Sequence, residues 1–152
     1  MEAVRIFCKS DTSLSVAIRG DQVVLAPNDP SDQTQHWYRD FNSVGRLCDV
    51  PGPKAFVLVN KATQQAVSVL PAPTRQVSLV PYDSNCTVDL RMVWAEGAVD
   101  LVDGFREVKW MKDTSRTLNA LGAVNDGTQV GHYPSSPEAA NSIWKMTPQC
   151  GC

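Results

Sequence analysis

The feature that most constrains this chain is a period. Tryptophans stand at positions 37, 94 and 144, each following a polar stretch at a short strand-like run. Lysines that end an apolar run before a polar turn recur at Lys9 (RIFCKSDT), Lys61 (VLVNKATQ) and Lys112 (VKWMKDTS). A V-x-L-x-P marker places Val23, Leu25 and Pro27 in the first copy and Val77, Leu79 and Pro81 in the second. Its third copy is Val130, His132 and Pro134. Three independent markers share a spacing near 52 residues. Such self-similarity marks three copies of one supersecondary unit.

Each copy reads as four short strands separated by Gly, Pro, Asp and Asn. The expected spans are about 4–9, 14–19, 23–26 and 35–41, then 55–60, 66–70, 77–82 and 91–95, then 105–111, 116–121, 128–133 and 142–146. No segment sustains a 3.6-residue apolar period, so little helix is expected. Twelve short strands in three groups of four can close into a barrel capped by hairpins, which leaves no exposed sheet edge. The fold expected is an all-β β-trefoil in one domain, residues 4–147, with repeats of about 4–50, 54–97 and 104–147 and a Cys-containing tail at 148–152. Pro51-Gly52-Pro53 and the stretch from Gly97 to Gly104 mark the joints. Trp37, Trp94 and Trp144, at equivalent positions, are expected to meet in the core near a pseudo-threefold axis. Gln35 is expected to pin a loop through its amide; Met92 and Ser142 stand at that place in the other copies, so pinning there must be weaker or made differently.

A chain of 152 residues with net charge −2 and no block of like charge offers no concentrated basic face, which argues against nucleic acid as a partner. No apolar run approaches the roughly 20 residues of a membrane helix, and MEAVRIFCKS does not read as a secretory signal. The five cysteines, Cys8, Cys48, Cys86, Cys150 and Cys152, are odd in number and scattered, which fits reduced thiols in the cytoplasm or nucleus. The sequon Asn85-Cys86-Thr87 is then expected to stay unmodified, and Cys150-Gly151-Cys152 reads as a frayed tail. Two histidines without metal-type spacing imply no metal or other cofactor. No nucleophile elbow, P-loop or dinucleotide motif is present, so the expectation is a protein that is not an enzyme.

The stretches VRIFCK, VVLAPNDPSDQTQHWYRD, FVLVNKAT and VSLVPYD closely resemble the Euonymus-lectin domain of plants, a ricin-B-like lectin family. The resemblance runs from residue 4 to about 146, nearly the whole chain. It implies a β-trefoil that binds carbohydrate without catalysis, a cytoplasmic and nuclear location, and a link to plant stress responses.

A pyranose presents one apolar C–H face and a rim of hydroxyls. Its site therefore needs a ring to stack on and planar polar side chains to bind adjacent hydroxyls. In ricin-type trefoils the aromatic follows the V-x-L pair, and an Asn stands three residues before the closing Trp. The positions after V-x-L are Ala26, Val80 and Tyr133; those three before the Trp are Thr34, Arg91 and Asn141. Only the third copy supplies a ring and an amide. Its departure from the family is the loop after Leu118-Asn119, which is shortened and lacks the expected acid; Asn119, Asn125 or Asp126 are the candidates to replace it. The expected site is thus Asn119, Asn125, Asp126, Tyr133 and Asn141, with glycans or glycoproteins as partners. Blander roles stand beside these: Tyr133 as a loop aromatic over the barrel, and Asp126-Gly127 as a hairpin turn. His132, which replaces a Leu of the other copies, reads as a core histidine, His36 as a strand residue facing solvent, and Asp21 as turn chemistry. The alternative function is a diverged trefoil, its sugar site lost, that binds a protein through its loops.

Overall fold

The computed structural model describes residues 1–44, 52–83, 85 and 87–149. Cys48, Cys86, Cys150 and Cys152 lie outside these residues, as do Pro51 and the end of the tail. Among the described residues twelve strands occur in three groups of four. The first repeat holds β1 (Ala3–Cys8), β2 (Asp11–Arg19), β3 (Gln22–Pro27) and β4 (Trp37–Asp40). The second holds β5 (Phe56–Asn60), β6 (Gln65–Val69), β7 (Val77–Pro81) and β8 (Val93–Glu96). The third holds β9 (Val108–Trp110), β10 (Arg116–Ala120), β11 (Val130–Pro134) and β12 (Trp144–Pro148).

The first and last strands of each repeat form a barrel, paired β12-β1-β4-β5-β8-β9. The ring closes where Arg106, just ahead of β9, and Trp144 exchange both backbone hydrogen bonds, at 2.8 and 2.7 Å. The middle strands of each repeat are hairpins, β2–β3, β6–β7 and β10–β11, that cap one end. The chain is therefore a β-trefoil.

All three tryptophans are fully buried in one cluster with Ile6, Leu58 and Val108. A buried indole must place its N–H on an acceptor. Trp37 donates to the Val16 carbonyl (2.9 Å), Trp94 to that of Val67 (3.1 Å) and Trp144 to that of Leu118 (2.9 Å). Each acceptor sits in the second strand of the donor's own repeat, so one contact ties a hairpin to the barrel three times over.

The closing strands begin later than the sequence predicts. Residues 33–35, 90–92 and 140–142 form 3-10 turns, and the strands start after them. Asp32 caps the first turn, accepting from the Thr34 amide at 2.9 Å, and Asp89 caps the second, accepting from Arg91 at 2.8 Å. Ala139 offers the third no such acceptor.

Gln35 pins its loop as expected. Its Oε1 accepts from the Ser15 hydroxyl (2.8 Å) and the Asp29 amide (3.0 Å), while Nε2 donates to the Pro27 carbonyl (2.9 Å). Ser142 makes the pin differently: its Oγ lies 2.6 Å from the Ser136 carbonyl and 2.9 Å from that of Ala139. Met92 contributes only apolar packing.

His36 corrects an expectation. It is fully buried, not solvent-facing, and neither ring nitrogen meets a partner in good hydrogen-bond geometry among the described residues. It sits in the 3-10 turn's exit, where strand alternation does not yet apply. Burial, reinforced by the positive charges of Lys61 and Arg5, holds its pKa below the ordinary histidine value. Cys8 is also buried, which pushes its thiol pKa up and makes it a poor nucleophile.

Candidate functional site

The site grows from the third hairpin. Thr117 pairs with Tyr133 and Asn119 with Gly131, so Asn119 and Tyr133 project from the same face of the hairpin. Asn141 arrives from the 3-10 turn at 140–142. Its Nδ2 donates to Asn119 Oδ1 (3.2 Å) and to the Ala120 carbonyl (3.0 Å). With both N–H groups spent, Asn141 presents Oδ1 as an acceptor. Asn119, whose Oδ1 is taken, presents Nδ2 as a donor. The three side chains line one cleft of about 230 Å³, together with Leu121, Gly122, Ser136 and Ala139.

Asn125 and Asp126 are placed elsewhere. Asp126 caps the hairpin tip and pairs with Arg19 of the first repeat at 2.9 Å, both side chains being more than half exposed. Asn125 Oδ1 lies 3.2 Å from the Thr128 hydroxyl, which orders the same turn. Of the three candidates for the missing acid, Asn119 is the one that lines the cleft.

One lining residue comes from outside the third repeat. The guanidinium of Arg75, in the β6–β7 loop, lies 4.3 Å from the Tyr133 ring centroid, a cation–π contact that covers one face of the ring. Gly131 makes this approach possible: a Cβ there would stand 2.1 Å from the Arg75 carbonyl oxygen. That carbonyl instead accepts from the His132 amide at 2.8 Å, and Gln76 bridges to Gly131. The sequence signal was available, because glycine inside a strand often marks another backbone pressed against it, and Val24 and Ser78 stand at that place in the other copies.

His132 is buried, as expected of a core histidine, and its Nδ1 accepts from Arg116 Nε at 2.9 Å. Burial first, and the adjacent Arg116 charge second, hold its pKa below the ordinary value, so it is neutral at pH 7. In the other repeats the corresponding positions are spent on structure. Ala26 is buried, and the Thr34 hydroxyl donates to Asp32 at 2.7 Å.

A second cavity, about 300 Å³, lies on the pseudo-threefold axis, where the equivalent Gln22, Gln76 and Gln129 converge. It has no ring to stack a sugar. Among the described residues no group of three or more His, Cys, Asp or Glu side chains could hold a metal ion.

The fold and this cleft define a β-trefoil with a small polar groove beside an aromatic ring in one of three repeats. No family model matches the chain. Curated plant relatives do, among them the following three. "Ricin B-like lectin R40C1" of Oryza sativa subsp. japonica is 36% identical over 95% of this chain and 42% of its own length. "Ricin B-like lectin EULS3" of Arabidopsis thaliana is 32% identical over 95% of this chain and 47% of its own. "Ricin B-like lectin R40G3" of rice is 32% identical over 95% of this chain and 72% of its own. The chain belongs to the ricin B-like lectin family, and within it resembles the Euonymus-lectin type; it spans less than half the length of the first two relatives. Among solved structures, the Macrolepiota procera ricin B-like lectin in complex with lactose superposes with TM-score 0.73 at 12% identity, covering 96% of this chain and 94% of that one. A "GlcNAc[alpha]1-4Gal releasing endo-[beta]-galactosidase from Clostridium perfringens" gives TM-score 0.74 at 11% identity, covering 97% of this chain but only 32% of that one. These two likenesses show the shared trefoil fold.

Proposed function

We propose that this chain is a carbohydrate-binding domain that takes one saccharide in the third-repeat cleft. The carrying observation is the amide pair. Asn119 Nδ2 donates and Asn141 Oδ1 accepts beside each other, which suits two neighbouring sugar hydroxyls. Tyr133 supplies the apolar contact with the ring face that Arg75 leaves open. The family relationship supports the same reading, since the relatives are named lectins. A single shallow site of this kind binds at roughly −4 to −8 kcal/mol, so useful avidity would come from multivalent glycans. The proposed role is non-catalytic. The cleft lining has no carboxylate, whereas glycoside hydrolysis ordinarily needs two flanking the bond. A cytoplasmic and nuclear location and a link to plant stress, carried over from the family resemblance, complete the reading.

The test is a glycan array with the purified chain, repeated with Tyr133→Ala and Asn141→Ala. Binding that both substitutions reduce at least tenfold supports the assignment. The contact of Arg75 with Tyr133 favours one other reading, a closed sugar site whose face binds protein. A blank array together with specific capture of a protein through Tyr133 would replace the lectin reading with that one.

A further inference from the structure

A second cleft, about 360 Å³, adjoins the first and shares Arg75 with it. Its wall holds Trp110, Arg116 and His132, residues that the saccharide reading leaves unused. Trp110 is the one tryptophan outside the barrel's buried triad. It is half-buried, and its indole N–H already donates to the Arg91 carbonyl at 3.1 Å, so what it offers the cleft is ring surface. It sits 6.0 Å, centroid to centroid, from the His132 ring.

The charge of this cleft is unbalanced. Among the described residues the ion pairs join Arg19 to Asp126, Arg39 to Glu96 and Arg91 to Asp89, and none involves Arg75 or Arg116. Among the described residues, Arg116 spends Nε on His132, feels the charge of Asp113 without an ion-pair contact, and has no acceptor for its two Nη groups. Arg75 stacks on Tyr133 and its side chain has no acceptor among the described residues. Two guanidinium groups therefore line one cleft, in a chain of net charge −2, with their planar donor forks uncommitted. A guanidinium fork matches a carboxylate or sulfate with two parallel hydrogen bonds, about twice as strong as neutral ones. An aromatic surface beside it suits the apolar face of a sugar ring.

We infer that the ligand of this domain is an acidic saccharide. A neutral residue lies in the Tyr133–Asn119–Asn141 cleft, and a neighbouring uronate or sulfated residue lies against Trp110 with its anionic group on Arg75 and Arg116. This inference rests on the saccharide reading above and names its class. It adds a subsite to which neither the third-repeat amides nor the family's ring position contributes.

The experiment is isothermal titration of the full chain with three oligosaccharides of equal length: a galacturonate, a carrageenan fragment (a sulfated galactan without uronate) and a neutral galactoside. Each is repeated in Arg75→Gln and Arg116→Gln. The expected result is at least tenfold tighter binding of one acidic ligand than of the neutral one. That preference disappears in both variants and shrinks between about 0.05 and 0.5 M salt. Arg116→Gln removes the donor to buried His132, so a thermal melt accompanies it; Arg75 is exposed, and its variant decides alone if Arg116→Gln does not fold. Uronate and sulfate arms separate the two sources of the anion. Equal binding of neutral and acidic ligands, or an acidic preference untouched by the arginine variants, overturns the acidic subsite and leaves the saccharide reading standing. A blank result here and on the array overturns both.

Discussion

Replacing Gly131 by alanine isolates the contact that brings the second repeat to the site. A Cβ at this position falls 2.1 Å from the Arg75 carbonyl oxygen, 3.1 Å from its carbon and 2.7 Å from Leu121 Cδ1. Ordinary non-bonded separation between heavy atoms is about 3.5–4.0 Å. Leu121 can rotate away, but Arg75 presents backbone, so the 71–75 loop must retreat by more than about 1 Å. Retreat breaks the 2.8 Å hydrogen bond from the His132 amide to the Arg75 carbonyl and the Gln76–Gly131 bridge. Overpacking costs about 1–3 kcal/mol. A stranded buried amide adds about 1–3 kcal/mol. The expected loss is therefore about 2–6 kcal/mol, a sizeable part of the roughly 5–15 kcal/mol that holds a domain together. Urea unfolding reads it as a fall in midpoint at constant slope. Ser78→Ala, at the equivalent place in the second repeat, should cost under about 1 kcal/mol, because the Ser78 hydroxyl makes only a long bond of 3.3 Å to Ser68. If Gly131→Ala unfolds within about 0.5 kcal/mol of wild type, the loop does not bear on β11 and Arg75 is not fixed over Tyr133.

Three further outcomes follow from the same contacts. Gln35→Ala strands the Ser15 hydroxyl, the Asp29 amide and the Pro27 carbonyl, and should cost about 2–4 kcal/mol in chemical denaturation. Phenylalanine at Trp37, Trp94 or Trp144 should cost about 1–3 kcal/mol, equal among the three within about 1 kcal/mol, because each loses one indole hydrogen bond of the same kind; widely different midpoints would deny their equivalence. His36 and His132 both have folded-state pKa values below the unfolded value of about 6.5, so their contribution is complete above that pH and is lost as pH falls beneath it. The unfolding free energy should therefore decline below about pH 6.5, with a limiting slope of about 1.4 kcal/mol per pH unit for each histidine, and His36→Gln should flatten that decline in urea titrations run across pH.

The barrel was legible because its constraints are local and repeated. A tryptophan, a lysine turn and a V-x-L-x-P marker recur at one spacing, and each repeat solves the same burial problem. The starts of β4, β8 and β12 were less so, since the residues ahead of each tryptophan suit a 3-10 turn as well as a strand. His36 was misplaced for that reason, because alternation counted back from Trp37 fails across the turn. In the third repeat, Tyr133 and Asn141 were found by their register and share a cleft with Asn119, one of the three candidates to replace the missing acid. Asn125 and Asp126 are close to them in sequence, yet the hairpin tip carries them to Arg19 and Thr128. Arg75 and Trp110 were not visible in that register at all. Arg75 reaches the third repeat's face through tertiary packing, which the glycine at 131 hints at, and Trp110 lies in β9 of that repeat but outside the positions the register compares.

The most direct measurement of the central claim is an NMR titration of isotope-labelled protein with a glycan that scores on the array. The side-chain amides of Asn119 and Asn141, the Tyr133 ring and the Gly122 amide should shift together and saturate with one affinity. Shifts confined to the neighbourhoods of Ala26 and Thr34, of Val80 and Arg91, or of the axial glutamines Gln22, Gln76 and Gln129 would place the sugar elsewhere and contradict the account.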